Sequence, residues 1–327
     1  MAKNKALGLK KIFSLEKKPV KGLLAFEWVV VAYTLLTLLF IFFTYTKLPH
    51  AHAMIVGRVR ILAIIAALWF VYRLASCPLT RMARVLAQLA LLAWWYPDTY
   101  ELNRILPNLD PIFAQADQNF FGYQPALLFS QRIPWPWFSE LMDLGYASYF
   151  PMIAVVTFYY FFYRYNDFTT MSFILIASFF LFYVIFIFMP VTGPQYYYLA
   201  IGPDKVLAAQ FDSVGDYFYH HTERIASPGW SKGIFYRMVE NAHQAGERPT
   251  AAFPSSHVGI TVVLLFLAWK AQSHRQLLFW CLLPFAVLMF FATVYIQAHY
   301  VVDSIAGLFA GIAFFMLFSY LSRYFKQ

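Results

Sequence analysis

Apolar residues fall in eight blocks along the chain, separated by short basic or polar stretches and by two long connections. The blocks are Leu23–Tyr45, Ile61–Cys77, Val85–Pro97, Leu141–Tyr163, Met171–Pro190, Ser256–Trp269, Leu277–Ile296 and Tyr300–Ser322. A helix needs about 20 apolar residues to cross the hydrocarbon core. The third and sixth blocks are shorter, which predicts an earlier start or a tilt. The pattern predicts an all-α fold, a polytopic transmembrane helical bundle of about eight spans. The first block is too long for a signal-peptide core and no small-residue cleavage site follows it, so it is expected to be a retained span. It follows a basic tail over residues 1–22, and residues 23–327 read as a single membrane domain without internal repeats.

The long connections cover residues 98–140 and 191–255. Spanning helices need only short turns, so connections of this length are expected to carry function. The first contains Pro134, Trp135, Pro136, Trp137 and Phe138, a composition suited to the headgroup region.

Composition narrows the class. The chain is 61% hydrophobic and only 13% charged, which excludes an ordinary soluble enzyme and a nucleic-acid-binding module. Its net charge of +9 is concentrated in Lys3, Lys5, Lys10, Lys11, Lys17, Lys18 and Lys21. A lysine cluster before the first span predicts a cytoplasmic N-terminus. Arg73, Arg81, Arg84, Arg164, Lys270, Arg275, Arg323 and Lys326 then share that side, both termini are cytoplasmic, and the long connections are extracytoplasmic. Lys47, Arg58 and Arg60 are exceptions in the first outer loop. Glu27, near the inner end of the first span, is expected to be interfacial or helix-paired. Cys77 and Cys281 lie in or beside apolar runs and form no disulfide framework.

Against this apolar background two polar clusters carry the chemistry. Phe253-Pro254-Ser255-Ser256-His257-Val258-Gly259 opens an apolar helix, and Pro followed by Ser is a helix-start signal. Serine hydroxyls and amides at a helix N-terminus suit an anion, and His257 stands where it could protonate a leaving oxygen. Gln297-Ala298-His299-Tyr300-Val301-Val302-Asp303 lies at the next outer junction. His299 and Asp303 are four apart, a spacing that places them on one helix face with the carboxylate accepting an imidazole N–H. Gly307 and Gly311 extend that face with a small-xxx-small spacing for close helix approach. Each cluster alone is also what a capped helix end or a buried His–Asp lock would show. Two histidines on one side of the membrane, one backed by a carboxylate, predict a phosphoryl-transfer site.

The pair resembles the type 2 phosphatidic acid phosphatase superfamily, whose Pro-Ser-Gly-His and His-x-x-x-Asp motifs stand here as Pro254-Ser255-Ser256-His257 and His299-Tyr300-Val301-Val302-Asp303. The resemblance covers about the last 190 residues and implies a six-helix catalytic core. It implies that His299 is the nucleophile, that Asp303 orients it and that His257 protonates the leaving group. There are departures. Glycine of the first motif is Ser256, the arginine expected six residues before the nucleophile is Thr293, and Arg248-Pro249 lacks the upstream lysine, which is Asn241. They are similar to the inositol phosphorylceramide synthase branch, as are Tyr300 and the run Asp117-Gln118-Asn119-Phe120-Phe121-Gly122-Tyr123-Gln124-Pro125. Gly193-Pro194-Gln195 takes the place of the first phosphate-binding motif. Substrate contacts are expected from Ser255, Ser256, Gln195, Lys232, Arg237 and Arg248. His220, His221 and His243 are expected to be solvated.

The expected function is a lipid phosphotransferase working through a phosphohistidine, passing a phospho-headgroup such as inositol phosphate between membrane lipids. A lipid phosphate phosphatase uses the same site with water as acceptor. The scheme needs no metal and no cofactor. Rivals are a metal-dependent hydrolase with His257, His299 and Asp303 as ligands, a transporter or lipid-binding protein, and a catalytically dead scaffold of the same fold. A transporter predicts ionisable residues at mid-membrane depth, and the fifth and seventh blocks hold none.

Overall fold

A computed structural model describes residues 7–271 and 276–325 of the chain. Lys3, Lys5, Arg275 and Lys326 lie outside the described residues. The short α1 (Leu9–Ile12) leads into α2 (Ala25–Thr44), α3 (Ala51–Leu74) and α4 (Pro78–Asn103). Next come α5 (Asp110–Phe121), α6 (Pro125–Arg132), α7 (Pro136–Ala147), α8 (Tyr149–Tyr163) and α9 (Tyr165–Phe188). The second long connection holds α10 (Pro194–Ile201), α11 (Pro203–Leu207), α12 (Tyr217–His220) and α13 (Ile234–Gly246). The chain closes with α14 (Ser256–Ala271), α15 (Leu277–Tyr295) and α16 (Val301–Leu321). Among the described residues there is no strand, and the fold is an all-α bundle.

All eight apolar blocks are helical. Among the described residues five helices are long and apolar enough to cross a membrane, and α7 with α8 makes a sixth if the pair, bent by 44° at its junction, counts as one span. α4 is 26 residues long but carries more polar groups, and α14 has 16 residues. α9 is the central helix, packed against α2, α4, α8, α14 and α16.

The second span starts at Ala51, ten residues before the apolar block, so Arg58 and Arg60 lie within α3 rather than in an outer loop. Arg58 is fully buried there because its charge is matched. Its Nη1 and Nη2 donate to Asp98 Oδ1 and Oδ2 at 3.1 and 2.7 Å, and Nε donates to Thr37 Oγ1 at 3.0 Å. A paired, fully hydrogen-bonded charge is tolerated inside a bundle where a lone one is not. Glu27 is likewise helix-paired, in a buried ion pair with Arg84.

The stretch 98–140 is largely helix rather than loop. α4 runs through Pro97 to Asn103, and the prolines at positions 111, 125 and 136 sit in the first turns of α5, α6 and α7, where a missing N–H costs nothing. Gly122, at φ +75°, ends α5 in the left-handed conformation.

α14 and α16 cross at their glycines. A Cβ on Gly307 would press on Ser255, and one on Gly311 would press on Gly259 and Val262. This brings the N-terminal ends of the two helices, and both polar clusters, side by side.

Candidate active site

The two motifs are joined through the backbone. Ser255 N donates to Asp303 O at 3.0 Å, and His299 N donates to Thr293 O at 3.0 Å. Gln297, at φ +63°, turns the chain between α15 and α16. His299 is buried, with Nδ1 2.8 Å from Ala252 O. A carbonyl only accepts, so Nδ1 carries the proton and Nε2 presents a lone pair. Burial depresses the His299 pKa to about 4, only partly opposed by the Ala252 carbonyl, so the ring is a neutral base at neutral pH.

Asp303 does not orient this ring directly. Its Oδ2 lies 3.7 Å from Nδ1 and accepts instead from Tyr300 N at 2.9 Å. The spacing rule presumes that both residues are helical, but α16 begins at Val301 with Tyr300 as its N-cap, so His299 lies before the helix. Asp303 fixes the turn that carries His299, and the Ala252 carbonyl fixes the ring.

Two further carboxylates from α5 complete the mount. Asp117 accepts from Val301 N and Val302 N at 2.9 and 3.1 Å, capping α16. Asp110 accepts from Thr192 N, Gly193 N and Tyr300 Oη at 2.7, 2.8 and 3.0 Å. Burial pushes Asp117 up to about 6 against the lowering by those amides, and pushes Asp110 up as well. Gly193, at φ +89°, lets the backbone pass close under Ala298 and Ala252.

His257, in the first turn of α14, stands between two tyrosine rings. Its ring centroid is 4.6 Å from Tyr146, 4.5 Å from Tyr149 and 5.8 Å from His299. Its buried Nδ1 has no hydrogen-bond partner among the described residues. A narrow cavity joins the two histidines, lined also by Ser256, Thr192, Thr250 and Glu247. Tyr96 of α4 lines it too and donates to Glu247 Oε1 at 2.9 Å, so a helix of the N-terminal group completes the site. Beyond it opens a polar cleft of about 340 Å³, lined by Arg224, Glu240, His243, Arg248 and, again, Glu247.

The expected substrate-binding residues separate into three groups. Ser256 lines the cavity and Arg248 the cleft. Ser255 is buried at the α14 N-terminus, its Oγ 3.4 Å from Val258 N, and Gln195 is buried with Oε1 unpartnered among the described residues; neither lines the cavity. Lys232 and Arg237 are exposed and line neither space. The amphipathic α13 turns Glu240, His243 and Gln244 toward the cleft and leaves Arg237 outside. His243 is buried, not solvated, with Nε2 3.5 Å from Tyr146 Oη; burial and the nearby Arg224 push it down to about 4. His220 and His221 are exposed.

Sequence reasoning passed over Arg224, Glu247, Thr192 and Thr250. Arg224 grips Glu240 with two hydrogen bonds of 3.2 and 2.7 Å. Nothing local distinguishes these residues from ordinary loop positions. Asp117 did carry a signal, as the first residue of the run noted above. Thr293, in place of the expected arginine, is buried, with Oγ1 2.9 Å from Ser304 Oγ. Among the described residues no group of three or more His, Cys, Asp or Glu is placed to hold a metal ion.

A profile of the PAP2 superfamily matches residues 115–317, which contain both motifs. Comparison with curated proteins and with solved structures gave no match.

Proposed function

Because this chain belongs to the PAP2 superfamily, a family of phosphatases and phosphotransferases, we propose that it is an integral-membrane lipid phosphotransferase. It passes a phospho-headgroup such as inositol phosphate between lipids through a phosphohistidine, in the manner of inositol phosphorylceramide synthases. The observation that carries the reading is the pairing of His299, its Nε2 lone pair free of the Ala252 bond, with His257 across one narrow cavity.

The donor phosphate sits at the α14 N-terminus, where first-turn amides have no acceptor within the helix and favour an anion. The Ser256 hydroxyl adds a donor, and Arg248 supplies charge from the cleft. His299 Nε2 attacks phosphorus, the bond to the departing alcohol breaks, and His257 gives that oxygen a proton. An acceptor hydroxyl then attacks phosphorus and loses its proton to a base at the cavity, while the P–Nε2 bond breaks and leaves its electron pair on Nε2. Asp303, Asp117 and Asp110 hold the mount. Both partners are membrane lipids.

The site lies on the extracytoplasmic side, supported by Arg73, Arg81, Arg164 and Lys270 at the opposite ends of the helices. In a C77A/C281A background, Lys232→Cys should react with an impermeant maleimide from outside intact cells and Ser14→Cys should not; the reverse would invert the topology. A lipid phosphatase is the second reading, favoured by the cleft, which gives water a path to the same intermediate.

The test is turnover of phosphatidylinositol with ceramide or diacylglycerol by protein purified in detergent. Transfer should persist with chelator and vanish in His299→Ala. Retained activity in that variant removes His299 as nucleophile, and loss with chelator that a divalent metal restores removes the metal-free scheme.

A further inference from the structure

The mechanism leaves unused a half-buried acid at the edge of the cavity, Glu247. Glu247 is the residue shared by the inner cavity and the cleft, so it stands between the open cleft and the histidines. Its Oε1 accepts from Tyr96 Oη at 2.9 Å, which fixes the carboxyl group in the opening. No cation of the described residues forms an ion pair with it: Arg224 in the cleft is committed to Glu240, and the Arg248 guanidinium donates to the Glu247 backbone carbonyl at 2.8 Å. His257, by contrast, lies deeper, with one face of its ring on Tyr146 and its other contacts on Tyr149 and His299.

Resting on the phosphohistidine reading, we propose that Glu247 is the base that takes the proton of the incoming acceptor hydroxyl. In this step the acceptor oxygen forms a bond to phosphorus and the P–Nε2 bond to His299 breaks. The electron pair of that bond stays on Nε2. The acceptor's proton goes to the Glu247 carboxylate and from there to water in the cleft, and His257, which gave its proton to the first alcohol, is reprotonated from the same water. The two halves of the reaction thus use different groups, His257 for the departing oxygen and Glu247 for the arriving one.

The surroundings of Glu247 suit the role. Burial pushes its pKa up to about 7, against lowering by the Tyr96 hydroxyl and by Arg224 and Arg248. The other titratable groups around it are Tyr146, His257 and His299 in the cavity and Tyr196, Glu223, Glu240 and His243 in the cleft. Brønsted behaviour favours a base whose pKa lies near the working pH. The carboxylate is the active form, so acceptor attack should rise with pH through about 7 and level off above it.

The experiment separates the half-reactions. The full chain in detergent is mixed with phosphatidylinositol labelled in its phosphate, quenched, and assayed for base-stable, acid-labile label on His299. Discharge is then followed on adding ceramide, from pH 5.5 to 8.5. Glu247→Gln keeps an acceptor for the Tyr96 hydroxyl. It should load label like the wild type, discharge it about a hundredfold more slowly, and lose the rise with pH. Tyr96→Phe removes the same hydrogen bond but keeps the carboxylate. Above the rise it should discharge about tenfold or more faster than E247Q, with the rise itself displaced to higher pH, because the lost bond favoured the ionised form. Discharge by E247Q at the wild-type rate and with the wild-type pH profile overturns the proposal, as does a Y96F loss as deep as that of E247Q, which would mark a structural support. Absence of label on wild-type His299 is a different failure, that of the phosphohistidine reading itself.

Discussion

Replacing Gly307 by Ala tests whether the crossing of α14 and α16 sets the distance between the two histidines. A Cβ built on Gly307 would stand 3.1 Å from Ser255 Cβ and 3.2 Å from its carbonyl carbon, and closer still to the carbonyl oxygen. Carbon atoms rest at about 3.5–4.0 Å, so the helices must part by roughly half an ångström to one ångström at this level. Ser255 is backbone-bonded to Asp303 at the same level, so the separation falls between His257 on α14 and the turn that carries His299. Overpacking of this kind costs about 1–3 kcal/mol, which leaves a marginally stable protein folded. A misplacement of about 1 Å costs on the order of a hundredfold in rate. The expected result is a monodisperse protein in detergent with kcat reduced by about two orders of magnitude and KM little changed, because the donor is still held by the α14 N-terminus and the cleft. Gly22→Ala is the control: nothing lies within 4 Å of its Cβ position and it is remote from the site. A folded G307A enzyme with kcat within about threefold of wild type would refute the reasoning.

Three other outcomes follow from buried charges. His243 titrates at about 4 in the folded protein and near 6.5 when unfolded, so the stability it contributes is present above pH 6.5 and lost as pH falls through about 4; this amounts to on the order of 1–3 kcal/mol. The thermal midpoint of wild type should therefore fall more steeply over that range than that of His243→Gln, and parallel curves would sink the assignment; Glu247, raised in the folded state, has the opposite sign and titrates in both proteins. Asp117→Asn keeps one acceptor for the Val301 and Val302 amides but loses its charge, so turnover should drop about tenfold and stability by about 1–3 kcal/mol; unchanged turnover would show that the α16 cap does not position His299. Arg58→Met strands Asp98 in the bundle and should cost about 3–5 kcal/mol, most of it regained in R58M/D98L; a double variant no more stable than the single one would contradict the pairing.

How far the sequence was legible depends on whether a polar residue's partner could be known. The helical character of the eight apolar blocks was readable, and five of the helices are long and apolar enough for length alone to force them. Their boundaries were not readable. Arg58 and Asp98 looked like loop residues because each, taken singly, is too costly for a span, and the partner that neutralises each lies 40 residues away. The two histidine motifs stood out because so few polar residues interrupt the apolar blocks. Which atom orients His299 was hidden, because the donor–acceptor pair is set by where α16 begins and by Ala252, 47 residues upstream. Arg224 and Glu247 were invisible for the converse reason. In a connection already rich in charge they look alike, and only the fold shows that Arg224 is bound to Glu240 while Glu247 lines the histidine cavity, half-buried, with a tyrosine hydroxyl as its partner. In a chain this poor in charge, the presence of an ionisable group at the site end of the bundle says little about its role. What distinguishes a structural carboxylate from a reactive one is whether its oxygens are consumed by amides, as in Asp110 and Asp117, or left facing open space, as in Glu247.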